Sequence, residues 1–571
     1  MATDSFTLWR PVTLLCLVTL FLLALLPRLY SAQTLGWGWD YPGSFTLVNF
    51  DEAGSCRAAL GGFDYSTFIG RQTIAIADVL GQGPDSGIVG NPRAVKAYCH
   101  NASHILIART YSAVTGALTV VLVAVIALLL VPLQPGIAWT ASALLALSGF
   151  HISESHSGTV DAPSVFFIYL FLALMVFAVG RGSRWGLRCS PLFLVAAIWT
   201  KYWVFAVFAY VAYIPLRAWQ YVTDGMGCWR IATLVLATVV LFAMLTNSAF
   251  QEAQLYPLLA AYYLVIPWRR IRRPMILAWL LVPILAYGVS QIGIIASYTT
   301  SGTSGTFGTG YGAIGWNKWL RNLVNVPAML LVGLGLPACL FIPAGIRFIA
   351  RGEGNVRAWL CLTPLLVFAL FMAFLAPVTY YRHYLALLPV AAIVSACGLY
   401  STSWAGRRWF LLLFFVWPAL LAMDLVWDYH RGDPRIDLRQ WYAKNQSARV
   451  FTSFYVNPPA GNIQVFRPEY AFGDAATLRQ AHYLILSENW YDTAFANELN
   501  GPAVSDLSRL IKTKPEYVRF YRTALAGRHP NLVLEESIDV KNFMPELLVH
   551  RWLYGTFQLF VGDIRIFRVV D

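Results

Sequence analysis

The sequence predicts a polytopic α-helical membrane protein of about 13 transmembrane helices, with a large first external loop and a small external α/β domain at the C-terminus. Three observations carry that expectation. Of 571 residues, 58% are apolar and only 12% charged, with a mean hydropathy of +0.56, against roughly 25% charge in a soluble domain. Apolar runs able to cross roughly 30 Å of hydrocarbon recur over most of the chain. Arginines, 35 of the 42 basic residues, cluster in short segments between those runs, where they set topology. The formal charge of +13 is therefore a topology signal, and no nucleic-acid partner is expected.

The run 11–27 follows Arg10 and reads as an uncleaved anchor with a cytoplasmic N-terminus. Leu29, Tyr30, Ser31 and Ala32 make a poor cleavage site, and Pro27-Arg28 interrupts the approach to it. Residues 28–103 hold no spanning run and carry Asp40, Asp51, Glu52, Asp64, Asp78 and Asp85, which makes them the first external loop. Further runs cover 104–131, 136–151, 162–179, 190–216, 231–247, 255–267, 275–297, 323–346, 358–376, 384–400 and 409–427. Between them lie Arg181/Arg184/Arg188, Arg217/Arg230, Arg269/Arg270/Arg272/Arg273, Arg347/Arg351/Arg357 and Arg407/Arg408. The run 190–216 decides the parity. As one crossing it would put Arg217, Arg230 and the 269–273 cluster outside, whereas two short crossings meeting at Thr200-Lys201-Tyr202 put every cluster inside. Lys201 then sits at the external boundary.

The module 1–427 gives way to a different composition over 428–571. Charged residues become common, and the apolar runs Tyr483-Leu-Ile-Leu486, Leu532-Val-Leu534 and Ile564-Arg-Ile-Phe567 alternate with helix-like stretches such as 515–526. A small external α/β domain is expected. Segment 299–315, rich in Gly, Ser and Thr, suits a mobile cover or a plain linker equally. Of eight cysteines, Cys56 and Cys99 share the external loop and are the candidate disulfide.

Polar groups at the membrane face supply the candidate site. Asp51 and Glu52 are adjacent, and consecutive helical residues point about 100° apart. One can act as a general base while the other orients it, although the pair equally suits a helix N-terminus. Asp161 closes the polar turn Ser153-Glu154-Ser155-His156-Ser157-Gly158-Thr159-Val160-Asp161, either as an N-cap or as a second acid of the same site. Glu154 and His156 lie beside it, and His151-x-x-Glu154 has helical spacing that makes a divalent metal a candidate ligand. Lys201, one of only seven lysines, interrupts an apolar run, where an ionisable group marks a functional site. Arg382 sits at another external mouth within Tyr380-Tyr381-Arg382-His383-Tyr384. Lys201 and Arg382, flanked by Tyr381 and His383, suit a phosphate whose lipid tail stays in the bilayer. Snorkelling to headgroups is the plainer role for Arg382.

Taken in order, these features resemble the glycosyltransferase C-fold superfamily, and most closely its protein O-mannosyltransferase and lipid A aminoarabinose transferase group. The features are a first span, a loop opening with Asp-Glu, a turn ending Ser-Gly-Thr-Val-Asp-Ala-Pro, Thr-Lys-Tyr between short spans, and Tyr381-Arg-His-Tyr-Leu-x-Leu-Leu-Pro389. The resemblance covers 1–427 in organisation. It implies a multi-pass cell-membrane enzyme that moves a sugar from a polyprenyl-phosphate donor to a hydroxyl acceptor on the external or periplasmic face. It implies Asp51 as catalytic base, Glu52 as its supporting neighbour, Asp161 as second acid, and Lys201 and Arg382 as donor-phosphate contacts. The chain departs from the group at Tyr65-Ser-Thr-Phe-Ile-Gly-Arg71-Gln72, which replaces a frequent Asn-Pro…Tyr-Pro-Pro stretch, and at His156, where many relatives have Arg. The sugar is thus left open between mannose, aminoarabinose and others, and the acceptor between protein, lipid and glycan. A lipid-linked sugar flippase, a ligase using a diphosphate-linked donor and a non-catalytic receptor are the alternatives.

Overall fold

The computed structural model describes residues 11–34, 50–61, 66–181, 183–201, 316–351, 368–369, 381–402, 408–427, 434–453, 456, 463–465, 478–487, 515–541 and 563–570. The second crossing expected after Lys201, the runs 231–247, 255–267 and 275–297, most of 358–376 and the loop 299–315 lie outside the described residues.

Helix α1, Pro11–Thr34, passes through Pro27 and runs seven residues beyond the apolar run, so Arg28 is helical and buried rather than part of the loop. Apolar side chains such as Leu15, Leu23 and Leu26 line its outer face. The chain resumes in a 3₁₀ turn, Phe50–Ala53, followed by α2 (Gly54–Ala59), α3 (Phe68–Val79) and α4 (Pro92–Cys99). These pack around Ala53, Leu60, Val95 and Ile105. A disulfide between Cys56 and Cys99 ties α2 to α4 across 43 residues. Closing a loop of that length restrains the unfolded chain by about 4 kcal/mol. Replacing both cysteines by Ala is therefore expected to raise hydrogen exchange over 50–60 and 92–105 and leave the helices of the bundle protected.

The bundle continues with α5 (Ala102–Leu130), α6 (Pro135–Ala146), α7 (Gly149–His156), α8 (Asp161–Arg181) and α9 (Arg184–Thr200). After the undescribed stretch come α10 (Trp316–Leu334), α11 (Leu336–Arg351), a 3₁₀ turn (Tyr381–Leu387), α12 (Leu388–Tyr400) and α13 (Arg408–Trp427). Among the described residues four helices are long and apolar enough to cross a membrane, and counting each bent pair as one span brings the number to six. α12 is buried on every side, as a central helix of a bundle must be.

Two of the predicted runs break. The run 136–151 splits into α6 and α7, bent by 58°, because the Ser148 hydroxyl accepts from the His151 N–H and starts a new helix. The run 323–346 splits into α10 and α11, bent by 118°. Gly335 takes φ +82 there, a conformation that favours glycine, and a Cβ at that point would strike Trp417. Residues 153–156, expected in an external turn, belong to α7 and are buried.

In the C-terminal region α14 (Pro434–Lys444), β1 (Val450–Thr452), β2 (Ile463–Val465), β3 (Tyr483–Ser487), α15 (Pro515–Leu525), β4 (Leu532–Ile538) and β5 (Ile564–Val569) build a mixed sheet of order β2-β1-β3-β5-β4. β1 runs parallel to β2 and β3, while β5 is antiparallel to β3 and β4. Side chains alternate with the pleat. Phe451, Leu484, Leu486 and Phe567 pack with Phe520, Tyr521 and Ala524 of α15. Val450, Ile485, Ile564 and Ile566 pack on the other face with Leu438, Trp441 and Tyr442 of α14.

Candidate active site

Four separate pieces of chain meet at one end of the bundle: the turn 50–53, the start of α8, the end of α9 and the turn 381–387. The first of these aims its two acids in different directions. Glu52 faces inward, where Arg109 of α5 donates from Nε to Oε1 at 2.7 Å and from Nη2 to Oε2 at 3.0 Å. The Gly158 N–H adds a third bond to Oε1 at 2.9 Å. Both side chains are 0% exposed, so this forked pair is a buried strut between the turn 50–53, α5 and the turn before α8. Asp51, 13% exposed, instead meets Arg382 Nη2 at 2.7 Å.

Arg382 in turn reaches toward α8, with its Nε 4.0 Å from Asp161 Oδ2. The other oxygen of Asp161 accepts from Lys201 Nζ at 2.8 Å. The result is a row of alternating charge: Asp51, Arg382, Asp161, Lys201. Asp161 is fully buried, while Arg382 is 11% and Lys201 19% exposed, so Asp161 is the most deeply buried of the four charges. Helix ends favour these placements, with an acid in the first turn of α8 and a cation just past the last carbonyls of α9. Asp161 engages Lys201 through its side chain while Ser164 donates to its carbonyl.

The segment between α1 and α5 is tied to the same end. Ser66 donates to the Trp199 carbonyl, two residues before Lys201, and the Tyr111 hydroxyl donates to Gln72. Phe68 sits edge-on to both Trp199 and Phe167. Beside Glu52's turn, burial lowers the His100 imidazole to about 4, helped by Lys96 and Arg57 and opposed by Glu52. It is neutral at ordinary pH and adds no charge there.

Of the other residues singled out from sequence, His383 is half-buried in the turn that carries Arg382, and the side chain of Tyr381 lies outside the described residues. Glu154 and His156 are buried on α7, away from solvent. His156 Nδ1 shares a hydrogen bond with the Ser31 hydroxyl at 2.7 Å, and His151 Nδ1 accepts from Arg28 Nη2 at 2.9 Å. Among the described residues no three His, Cys, Asp or Glu come together as a metal's ligand set.

Sequence reasoning missed Arg109 and Arg28. Both interrupt or follow apolar runs, the signal by which Lys201 was found. Arg28 donates to the carbonyls of Ala24, Leu145 and Ala146 as well as to His151, so it closes the C-terminal end of α6 at the α6–α7 break.

No protein-family model and no curated protein matches the chain. Similar solved structures include the archaeal oligosaccharyltransferase AglB from Archaeoglobus fulgidus, in complex with an inhibitory peptide and a dolichol-phosphate. It is 12% identical with a TM-score of 0.49, over 86% of this chain and 70% of that one. ArnT from Cupriavidus metallidurans, bound to undecaprenyl phosphate, is 13% identical with a TM-score of 0.40, over 84% of this chain and 94% of that one. At such identities and scores the likeness fixes neither the family nor the chemistry of this chain.

Proposed function

We propose that the chain is an integral-membrane glycosyltransferase that moves a sugar from a polyprenyl-phosphate donor to a hydroxyl acceptor on the external face, with inversion. The observation that carries this reading is the alternating row Asp51, Arg382, Asp161, Lys201, half-sheltered at one end of an apolar bundle. About 13 spans, an external site and an external 428–571 domain belong to the same proposal.

The chemistry follows from the placement. Asp51 takes the proton of the acceptor hydroxyl as that oxygen attacks the anomeric carbon. The bond from that carbon to the phosphate oxygen breaks, and the lipid monophosphate departs with the electron pair. Arg382 and Lys201 meet the departing charge, so no general acid is required. A guanidinium offers five N–H donors in a planar fork, enough to bridge carboxylate and phosphate together. Asp161, the most deeply buried of the four, holds both cations in place. Glu52 orients and does not react, since both of its oxygens are engaged by Arg109 and Gly158.

Lys201→Met tests the donor-phosphate assignment. A hydrogen bond to a charged group contributes about 1.5–3 kcal/mol, so the KM for the lipid donor is expected to rise about ten- to a hundredfold. The KM for the acceptor stays near the wild-type value. An unchanged donor KM would remove Lys201 from the phosphate site. The released lipid identifies the donor class, a monophosphate for this reading and a diphosphate for a ligase.

A further inference from the structure

Tyr169 lies on α8, eight residues beyond Asp161, which is about 12 Å further along the helix. Its side chain is buried, and it makes two hydrogen bonds into one segment of another helix. The hydroxyl donates to the Ala386 carbonyl at 2.7 Å and accepts from the Val390 N–H at 3.1 Å. Those two groups are four residues apart and would bond each other directly in an uninterrupted α-helix. The phenol is inserted between them.

The sequence explains why an outside group is needed there. Leu387 occupies the N-cap of α12 and has no side-chain oxygen to offer, so no local cap forms. Pro389 has no N–H, and Val390 stands at the third helical position, whose N–H a capping hydroxyl ordinarily satisfies. Tyr169 supplies that hydroxyl from a different helix. By holding the ladder open at this point, it leaves 381–387 as a 3₁₀ turn, and that turn places Arg382 between Asp51 and Asp161. Asp161 faces Arg382 and Tyr169 faces Ala386 and Val390, so α8 and the 381–390 segment run side by side in the same direction, pinned at two levels.

We infer that Tyr169 is a positioning residue of the donor-phosphate site, acting through the 381–387 turn to set where the Arg382 guanidinium stands. This rests on the proposed role of Arg382 and extends it to a residue that touches neither donor nor acceptor. The phenyl ring of Tyr169→Phe keeps the packing and removes only the inserted hydroxyl.

The test compares wild type, Tyr169→Phe, Arg382→Met and the double variant as full chains in nanodiscs, with undecaprenyl phosphate as probe. Tyr169→Phe is expected to weaken lipid-phosphate binding about two- to tenfold, the loss of one hydrogen bond's worth of positioning. In the Arg382→Met background it is expected to have no further effect. Hydrogen exchange without the lipid provides a separate readout, with Val390 and its neighbours exchanging faster in Tyr169→Phe while 170–181 stay protected. Equal weakening in both backgrounds, or unchanged exchange at 386–391, overturns the inference. Altered exchange in a protein whose wild type binds no lipid phosphate overturns the donor reading and with it the positioning role, leaving the clamp as a structural feature alone.

Discussion

Asp51→Asn is expected to lower kcat by about a hundred- to ten-thousandfold, the ordinary contribution of a positioned general base, while the lipid donor binds as well as before or more tightly. The two directions follow from one change. The amide keeps the shape of the side chain but cannot take a proton from the acceptor. It also removes the negative charge 2.7 Å from Arg382, and a guanidinium relieved of a competing carboxylate attracts a phosphate more strongly. Loss of folding would reduce kcat and donor affinity together. A kcat that falls with a donor KM that holds or drops therefore separates the loss of a base from the loss of structure. Steady-state kinetics with donor and acceptor varied independently measures both, and wild-type turnover by Asp51→Asn would exclude it as the base.

Glu52→Gln is expected to do most of its damage to stability. Glu52 and Arg109 are both 0% exposed and joined by a two-bond fork. Removing one partner of a buried pair leaves the other charge without its counter-ion and costs about 3–5 kcal/mol. Thermal unfolding in detergent should show a large fall in midpoint for Glu52→Gln. Arg109→Lys keeps the charge and loses the fork, so it should fall between wild type and Glu52→Gln. The double variant Glu52→Gln/Arg109→Met should recover part of the loss, because the stranded guanidinium is gone. A Glu52→Gln protein that melts with the wild type would mean that the strut does not hold the turn carrying Asp51.

What the sequence revealed and what it hid divide along physical lines. Hydropathy located α1, α5, α8 and α13 to within a few residues at most ends, because a helix facing lipid or a packed apolar core needs apolar residues on every side. It could not see the bends at Ser148 and Gly335, where one polar side chain and one φ value break a run whose average stays apolar. Strands β3, β4 and β5 stand over apolar runs visible in the sequence, whereas β1 and β2 are three residues long and leave no period to detect. At the site, the acids and cations at the mouth were legible as charges in the wrong solvent. Their pairing was not, since Glu52 meets an arginine 57 residues away and Asp51 meets one beyond most of the bundle. Arg109 reads in sequence as a small dip in a long apolar helix, and only the fold gives it a partner. The hydroxyl of Tyr169 left no trace at all, because its role depends on a missing cap in another helix.

A transfer assay in lipid nanodiscs puts the proposed reaction to the test, using a radiolabelled polyprenyl-phosphate sugar as donor and membrane extract as acceptor. Label is expected to move to a non-lipid or new lipid product, with one polyprenyl monophosphate released for each sugar transferred. Label that crosses the bilayer still attached to its lipid, with no monophosphate released across several donor sugars, would contradict the transferase reading and favour a flippase.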